Sequence, residues 1–153
     1  MDLILWRHAE AIDLELVGDD MERYLSPRGE KQAARMASWL DRQMPDGARV
    51  LCSPALRAQQ TALALQRKFR QHAALAPLGN CDELLELVQW PRGKGCVLVV
   101  GHQPTFGQVI ARLLGISEGE CAVRKGAVWW LRYREREGNG HAVVVTVQSP
   151  DLL

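Results

Sequence analysis

The stretch Cys96–Val100, with the sequence CVLVV, decides the fold of this chain. Five consecutive apolar residues predict a strand that is buried on both faces, as in the centre of a parallel sheet with helices on each side. Gly101, His102 and Pro104 follow directly, and an apolar stripe at helical spacing begins at Phe106. The passage from a buried strand through a turn into a helix is typical of α/β proteins.

The same alternation of strands and helices extends over the rest of the chain. Further strands are predicted at Leu3–Trp6, Arg49–Cys52, Ala127–Tyr133 and Ala142–Val147. Helices are predicted from Ser26-Pro27 to the turn at Pro45-Asp46-Gly47, from Ser53-Pro54 as far as Phe69, and from Gln103-Pro104 to Gly115. The last two strands are close together in the chain and predict an antiparallel pair at one edge. We therefore expect an α/β fold with helices on both faces of a mostly parallel sheet.

Length, composition and charge limit the functions that are open to the chain. Its 153 residues are 47% hydrophobic and 24% charged, which favours one globular domain over residues 1–153. The net charge of +1 predicts no bulk attraction to nucleic acid or to a membrane. No apolar run is long enough for a signal peptide or a membrane span, so we expect a soluble protein. The four cysteines lack C-x-x-C spacing and are expected to be structural thiols in a reducing cytoplasm.

Three of the predicted strands end in histidine or arginine residues. Arg7 and His8 follow the first strand, Arg57 follows the second, and His102 follows the third. Since ligands of open α/β sheets bind beyond the carboxyl ends of the strands, we expect these side chains to share one cleft. Neighbouring residues of a strand face opposite sides, so Arg7 and His8 can converge only if the first strand stops near Trp6.

A phosphoryl group is the ligand that suits these side chains. Arginine binds phosphate oxygens through two parallel hydrogen bonds. A neutral histidine can attack phosphorus and form a phosphoenzyme, and two arginines with a second histidine would stabilise the transferring group without a metal ion or another cofactor. Each residue alone also has a structural explanation, so the prediction depends on their joint placement. The alternative of a metal site at His8, Glu10 and His102 lacks any H-x-x-x-H or H-E-x-x-H spacing.

These motifs, in this order, resemble those of the histidine phosphatase superfamily, which includes the cofactor-dependent phosphoglycerate mutases. The matching segments are 5–11 (LWRHAEA), 24–29 (YLSPRG), 51–61 (LCSPALRAQQT) and 99–104 (VVGHQP). The short chain is similar to the SixA type, the protein phosphohistidine phosphatases. The resemblance implies a phosphoglycerate mutase-like, three-layer α/β/α sandwich. One departure is Ala9, which stands where the superfamily commonly has glycine after Arg-His.

The resemblance also implies a role for each residue of the predicted cleft. His8 would be the nucleophile that becomes phosphorylated. Arg7 and Arg57 would bind the phosphoryl oxygens, and His102 would contact the phosphoryl group opposite them.

The proton donor is the remaining catalytic role that the resemblance implies. In the superfamily an acidic residue lies between the Arg57-type and His102-type segments, and Glu83 fits this position best, followed by Asp82. Glu10 is a weaker candidate close to the nucleophile. Acidic residues at the start of a helix also complement the helix dipole, so a structural role stays open. A phosphohistidine leaves as imidazole, which needs an acid less than the alkoxide of an ester does.

Our hypothesis is a phosphohistidine phosphatase that acts on a phosphorelay protein with a histidine phosphotransfer-type domain. Few residues remain beyond the three layers to form a lid, and 13–23 is the main spare stretch near the cleft. Two alternatives stay open: a small phosphomonoester as substrate, and a binding module for phosphate or phosphoproteins without catalysis. His72, expected in a helix tail, and His141 are predicted to be surface residues outside the cleft.

Overall fold

A six-stranded sheet organises the computed structural model, which describes residues 1–153. The strands are β1 (Asp2–Arg7), β2 (Arg49–Cys52), β3 (Arg70–Gln71), β4 (Cys96–Gly101), β5 (Val128–Arg136) and β6 (Asn139–Gln148), in the order β3-β2-β4-β1-β5-β6. Strands β1 to β4 are parallel to one another, whereas β5 pairs antiparallel with both β1 and β6. The prediction of a mostly parallel sheet with an antiparallel edge is confirmed.

Four α-helices cover the sheet: α1 (Pro27–Gln43), α2 (Leu56–Leu63), α3 (Cys81–Val88) and α4 (Thr105–Leu114). Short 3-10 turns lie at Leu14–Leu16, Asp20–Glu22, Ala73–Leu75 and Pro150–Leu152. Helices α1 and α2 share one apolar core with one face of the sheet, and α3 and α4 share a second core with the other face. The molecule is therefore the predicted three-layer α/β/α sandwich. None of its helices is both long enough and apolar enough to span a membrane.

The central strands bury both faces because their side chains alternate between the two cores. In β1, Ile4 and Trp6 pack in the core beneath α1 and α2, whereas Leu3 and Leu5 pack in the core beneath α3 and α4. All six residues of β4 are buried, as its continuous apolar sequence predicted. Burial of both faces fixes the register of β1 and β4, and therefore the position at which each strand reaches the edge of the sheet.

The structure corrects two predictions between α2 and α3. The second helix ends at Leu63 instead of extending to Phe69. Soon after it, Gln66 adopts a positive φ of 59°, which lies outside the conformation of a right-handed helix. Phe69 still packs against the core, which explains its helical spacing. The next two residues form β3 beside β2, so His72 follows an edge strand and not a helix tail.

Candidate active site

His8 directly follows β1, which ends at Arg7, one residue beyond the predicted limit at Trp6. Its amide still donates to Gly101 O at 3.0 Å and so continues the ladder with β4. The amide of Gly126 then donates to the carbonyl oxygens of both Arg7 and His8, at 3.1 and 3.0 Å. Successive carbonyls of an extended strand point in opposite directions, so one shared donor shows that the chain turns here. The turn allows Arg7 and His8 to serve one site.

The imidazole of His8 is held with one ring nitrogen free for attack. Its Nδ1 lies 2.8 Å from Ala9 O, and because a carbonyl oxygen only accepts, Nδ1 carries the proton. The lone pair of Nε2 is therefore available. Burial lowers the pKa of His8 to about 3; the bond to Ala9 opposes this shift, and the nearby charges of His102 and Arg57 add to it. At neutral pH the ring is an uncharged nucleophile.

The departure at Ala9 is accommodated by the backbone. Ala9 is fully buried, and it is not among the residues with a positive φ, so its β-carbon causes no strain of the kind that glycine relieves. Its amide donates to Thr61 Oγ1 at 3.0 Å, and that hydroxyl donates to Arg57 O at 2.8 Å. The loop that carries His8 is thereby tied to the helix that carries Arg57.

His102 is the second histidine of the site, with its ring centroid 5.2 Å from that of His8. Its Nε2 lies 2.7 Å from Ser53 Oγ, and this hydroxyl also accepts from Ala55 N at 3.1 Å. Burial, followed by the charge of Arg57, lowers the pKa of His102 to about 3. Ser53 was expected at the start of a helix, within the matching segment 51–61; in the structure it is fully buried and orients His102.

Arg7 and Arg57 each present an unpaired nitrogen in the interior of the site. Arg7 Nη1 donates to Val123 O at 2.7 Å, and Arg57 donates through Nη1 to Asp20 O at 2.7 Å and through Nη2 to Asp20 Oδ2 at 3.1 Å. The Nε atoms of both arginines are buried without a hydrogen-bond partner. Buried donors without partners are rare and require an explanation, and an anion between the two guanidinium groups supplies one.

Asp20 is a site residue that the sequence analysis did not single out, although it lies in the spare stretch 13–23. Its carboxylate binds Arg57 and also accepts from Arg23 Nη1 at 3.2 Å. Partial burial raises the pKa of Asp20, but the hydrogen bonds from Arg23 and Arg57 outweigh this effect and lower it. Asp20 thus engages the two terminal nitrogens of Arg57 and leaves Nε without a hydrogen-bond partner.

The three candidate acids make no hydrogen bond to any of these residues. Glu83 lies exposed in the first turn of α3, where its amide donates to the N-cap side chain of Asn80 at 2.9 Å. Asp82 is paired with Arg112. Glu10 accepts a hydrogen bond from the hydroxyl that caps α1. Nowhere in the chain do three or more histidine, cysteine, aspartate or glutamate side chains come together as ligands for a metal ion.

An uncharged histidine and two arginines, at the carboxyl edge of a three-layer sandwich, form a site suited to a phosphoryl group. The family profile of the histidine phosphatase superfamily (branch 1) matches residues 3–87. This match covers more than half of the chain, and the chain belongs to this superfamily.

Known relatives place the chain within the SixA type. It is 32% identical to the phosphohistidine phosphatase SixA of Escherichia coli over 121 residues, which are 74% of each protein. A SixA homologue of Haemophilus influenzae is 29% identical over 130 residues, 75% of this chain and 78% of the relative. The solved structure of the protein histidine phosphatase SixA complexed with tungstate covers 99% of both chains, with a TM-score of 0.82 and 28% identity. The predicted class, a phosphatase of the hydrolase type, is confirmed.

Acid should destabilise the fold through the buried histidines. The pKa of His102 is about 3 in the folded state and about 6.5 in an unfolded chain, so the unfolded state binds the proton first as the pH falls. The stability that depends on a neutral ring is complete above about pH 6.5 and is lost progressively towards pH 3. We expect the free energy of unfolding, measured with urea between pH 7.5 and 4.5, to fall less steeply in His102→Asn than in the wild type. The exposed His141→Asn should keep the wild-type slope, and equal slopes in all three proteins would contradict the neutral state of His102.

Proposed function

We propose that this chain is a protein phosphohistidine phosphatase and that His8 is its nucleophile. The observation that carries the proposal is the state of the His8 ring, whose Nδ1 donates to Ala9 O and leaves the lone pair of Nε2 free, in a site where the charges of Arg57 and Arg7 act on the ring. The names of the SixA relatives support the same class of substrate.

The first step of the proposed reaction transfers the phosphoryl group to the enzyme. His8 Nε2 attacks phosphorus in line, the new N–P bond forms, and the N–P bond to the substrate imidazole breaks. The substrate ring, protonated from solvent on its other nitrogen, leaves as neutral imidazole and keeps the electron pair of the broken bond. Arg7 and Arg57 stabilise the charge on the phosphoryl oxygens, and the ring of His102, 5.2 Å from that of His8, is close enough to contact the bound group.

The second step regenerates the free enzyme. Water attacks the phosphorus of phospho-His8, the bond to Nε2 breaks with its electron pair returning to the ring, and inorganic phosphate leaves after one proton of the attacking water passes to solvent. The imidazole returns to its neutral form, which the buried site favours. The hydrogen bond from Nδ1 to Ala9 O can persist through both steps and keep the ring in place.

A phosphohistidine on a histidine phosphotransfer-type domain is the substrate we propose. None of the three candidate acids is hydrogen-bonded to the site, and a leaving imidazole needs little help from an acid. The test compares phosphate release from such a domain, phosphorylated chemically, with release from a phosphoserine peptide, in the presence of a chelator. We expect release from the phosphohistidine to be faster by about 100-fold or more. Hydrolysis of the ester loses about this factor in rate when no general acid protonates the leaving alkoxide. The reverse preference would indicate a phosphomonoesterase, and tight phosphate binding without turnover would indicate a binding module.

The variant Glu83→Gln should leave the hydrolysis of phosphohistidine almost unchanged. We expect a change of less than about threefold, because a general acid contributes most where the leaving group is basic. Initial rates of phosphate release at saturating substrate check this. Glu86→Gln, an exposed substitution one turn later in α3, is the matched control. A loss of about 100-fold confined to Glu83→Gln would identify Glu83 as the proton donor and contradict this expectation.

A further inference from the structure

Residues 12–24, which we call the rim loop, form a closed loop beside the site. The amide of Ile12 donates to Tyr24 O at 2.9 Å, and Arg23 Nε donates to Ile12 O at 2.7 Å, so the two ends of the loop are held together. Asp20, in the middle of the loop, binds Arg57. The rim loop therefore borders the phosphoryl site directly and is fixed to it.

The rim loop exposes large apolar side chains next to the site. Leu14, Leu16, Met21 and Tyr24 are 47%, 72%, 36% and 46% exposed, four such residues within thirteen. A cluster of exposed apolar side chains is typical of a surface that binds another protein.

A further exposed apolar side chain lies in a turn that is hydrogen-bonded to the segment after His102. Leu78 is 98% exposed, on the turn that precedes α3. Thr105, at the start of α4 and three residues beyond His102, holds this turn, because its Oγ1 donates to Gly79 O at 3.1 Å. Exposed apolar side chains thus lie in two segments that are hydrogen-bonded to parts of the site, the rim loop through Asp20 and Arg57, and the turn of Leu78 through Gly79 and Thr105.

The rim loop is also strongly acidic. It contains five carboxylates, Asp13, Glu15, Asp19, Asp20 and Glu22, against one cation, Arg23. Asp20 is ion-paired and the other four carboxylates are not. The chain as a whole carries a net charge of +1, so the negative charge is local. A negative rim repels small free phosphate anions and favours a phosphoryl group presented on a positively charged scaffold.

We propose that the rim loop and Leu78 form the docking surface for the partner protein, and that the partner surrounds its phosphohistidine with exposed apolar residues and with lysine or arginine. This inference rests on the proposed function, since it identifies the kind of protein face that the same site accepts. The apolar side chains would bury against the partner, and the carboxylates would steer the basic face towards Arg57 and His8.

The test uses two substrates that share the reacting bond but differ in size. They are a chemically phosphorylated histidine phosphotransfer domain with basic residues around its phosphohistidine, and the free amino acid phosphohistidine. We expect Leu16→Ser and Leu78→Ser each to lower kcat/KM for the protein by about 3- to 10-fold, as for apolar residues within an interface, and to leave the rate with free phosphohistidine unchanged. Val144→Ser, at a 42% exposed apolar position on β6, is the control and should change neither rate.

Ionic strength provides a second readout that is specific to charge. In the wild type, kcat/KM for the protein should fall as salt rises, and the double variant Glu15→Gln/Glu22→Gln should reduce this dependence. If Leu16→Ser and Leu78→Ser impair both substrates equally or neither, the docking surface is refuted while the phosphatase function stands. Wild-type inactivity on both substrates would refute the proposed function and this inference with it. Loss of self-association in these variants, with both rates unchanged, would assign the surface to a second copy of the chain instead.

Discussion

His8→Ala is expected to lower phosphate release from a phosphohistidine protein by about 10⁴-fold or more, the order of loss found when a catalytic nucleophile is removed. The reason is structural: Nδ1 of His8 donates to a carbonyl oxygen that can only accept, which leaves Nε2 as the free base, whereas the hydroxyl of Ser53 can donate or accept and fixes no tautomer of His102. The arginines and His102 would still bind the phosphoryl group but would have no group to receive it. Steady-state phosphate release measures the loss.

Rapid quench with a radiolabelled phosphohistidine protein tests the same step directly. The wild type should retain acid-labile, base-stable phosphate on the enzyme, and His8→Ala should retain none. His72→Ala and His141→Ala are matched controls on histidines outside the site and should behave as the wild type. Label trapped on His8→Ala would transfer the role of nucleophile to His102 and overturn the assignment.

Arg57→Ala is expected to have the second largest effect, a fall in kcat/KM of about 10²- to 10³-fold. The substitution removes a buried cation and the Nε–H donor that has no protein partner, both of which we expect the transferring oxygens to use. It should also weaken phosphate binding, so orthophosphate should raise the melting temperature of Arg57→Ala less than that of the wild type. Differential scanning fluorimetry with increasing orthophosphate checks this second effect.

Two further variants separate the chemistry of Arg57 from its packing. Arg57→Lys keeps the charge but not the planar fork, so we expect activity between those of the wild type and Arg57→Ala. Arg67→Ala is the structural control, since Arg67 is mostly buried and hydrogen-bonded to Asp41 and Pro45 O, away from the site residues. Its activity should stay within about threefold of the wild type, because its contacts affect stability alone. An Arg57→Ala variant with more than a tenth of wild-type activity would contradict the role proposed for Arg57.

The predicted convergence of His8, Arg57 and His102 follows from the ends of the strands, whereas their roles stay predictions. His8, Arg57 and His102 are buried together because β1, β2 and β4 are parallel neighbours whose carboxyl ends reach one edge of the sheet. The prediction failed in the segment after α2, where a helical spacing of apolar residues continues through Phe69 although the backbone does not. Both patterns bury an apolar residue on the same core, so spacing alone does not distinguish them.

What the sequence determined by itself is the layered fold and the identity of the residues at the sheet edge. Continuous apolar runs in β1 and β4 are local properties, and they suffice to place helices on both faces of the sheet. The tertiary structure alone decided which ring nitrogen of His8 is free, since that depends on a turn stabilised by Gly126 from the far end of the chain. It also decided the pairing of Asp20 with Arg57, 37 residues apart. Such contacts between distant segments leave no periodicity in the sequence, because each partner is positioned by the packing of its own element and not by its neighbours in the chain.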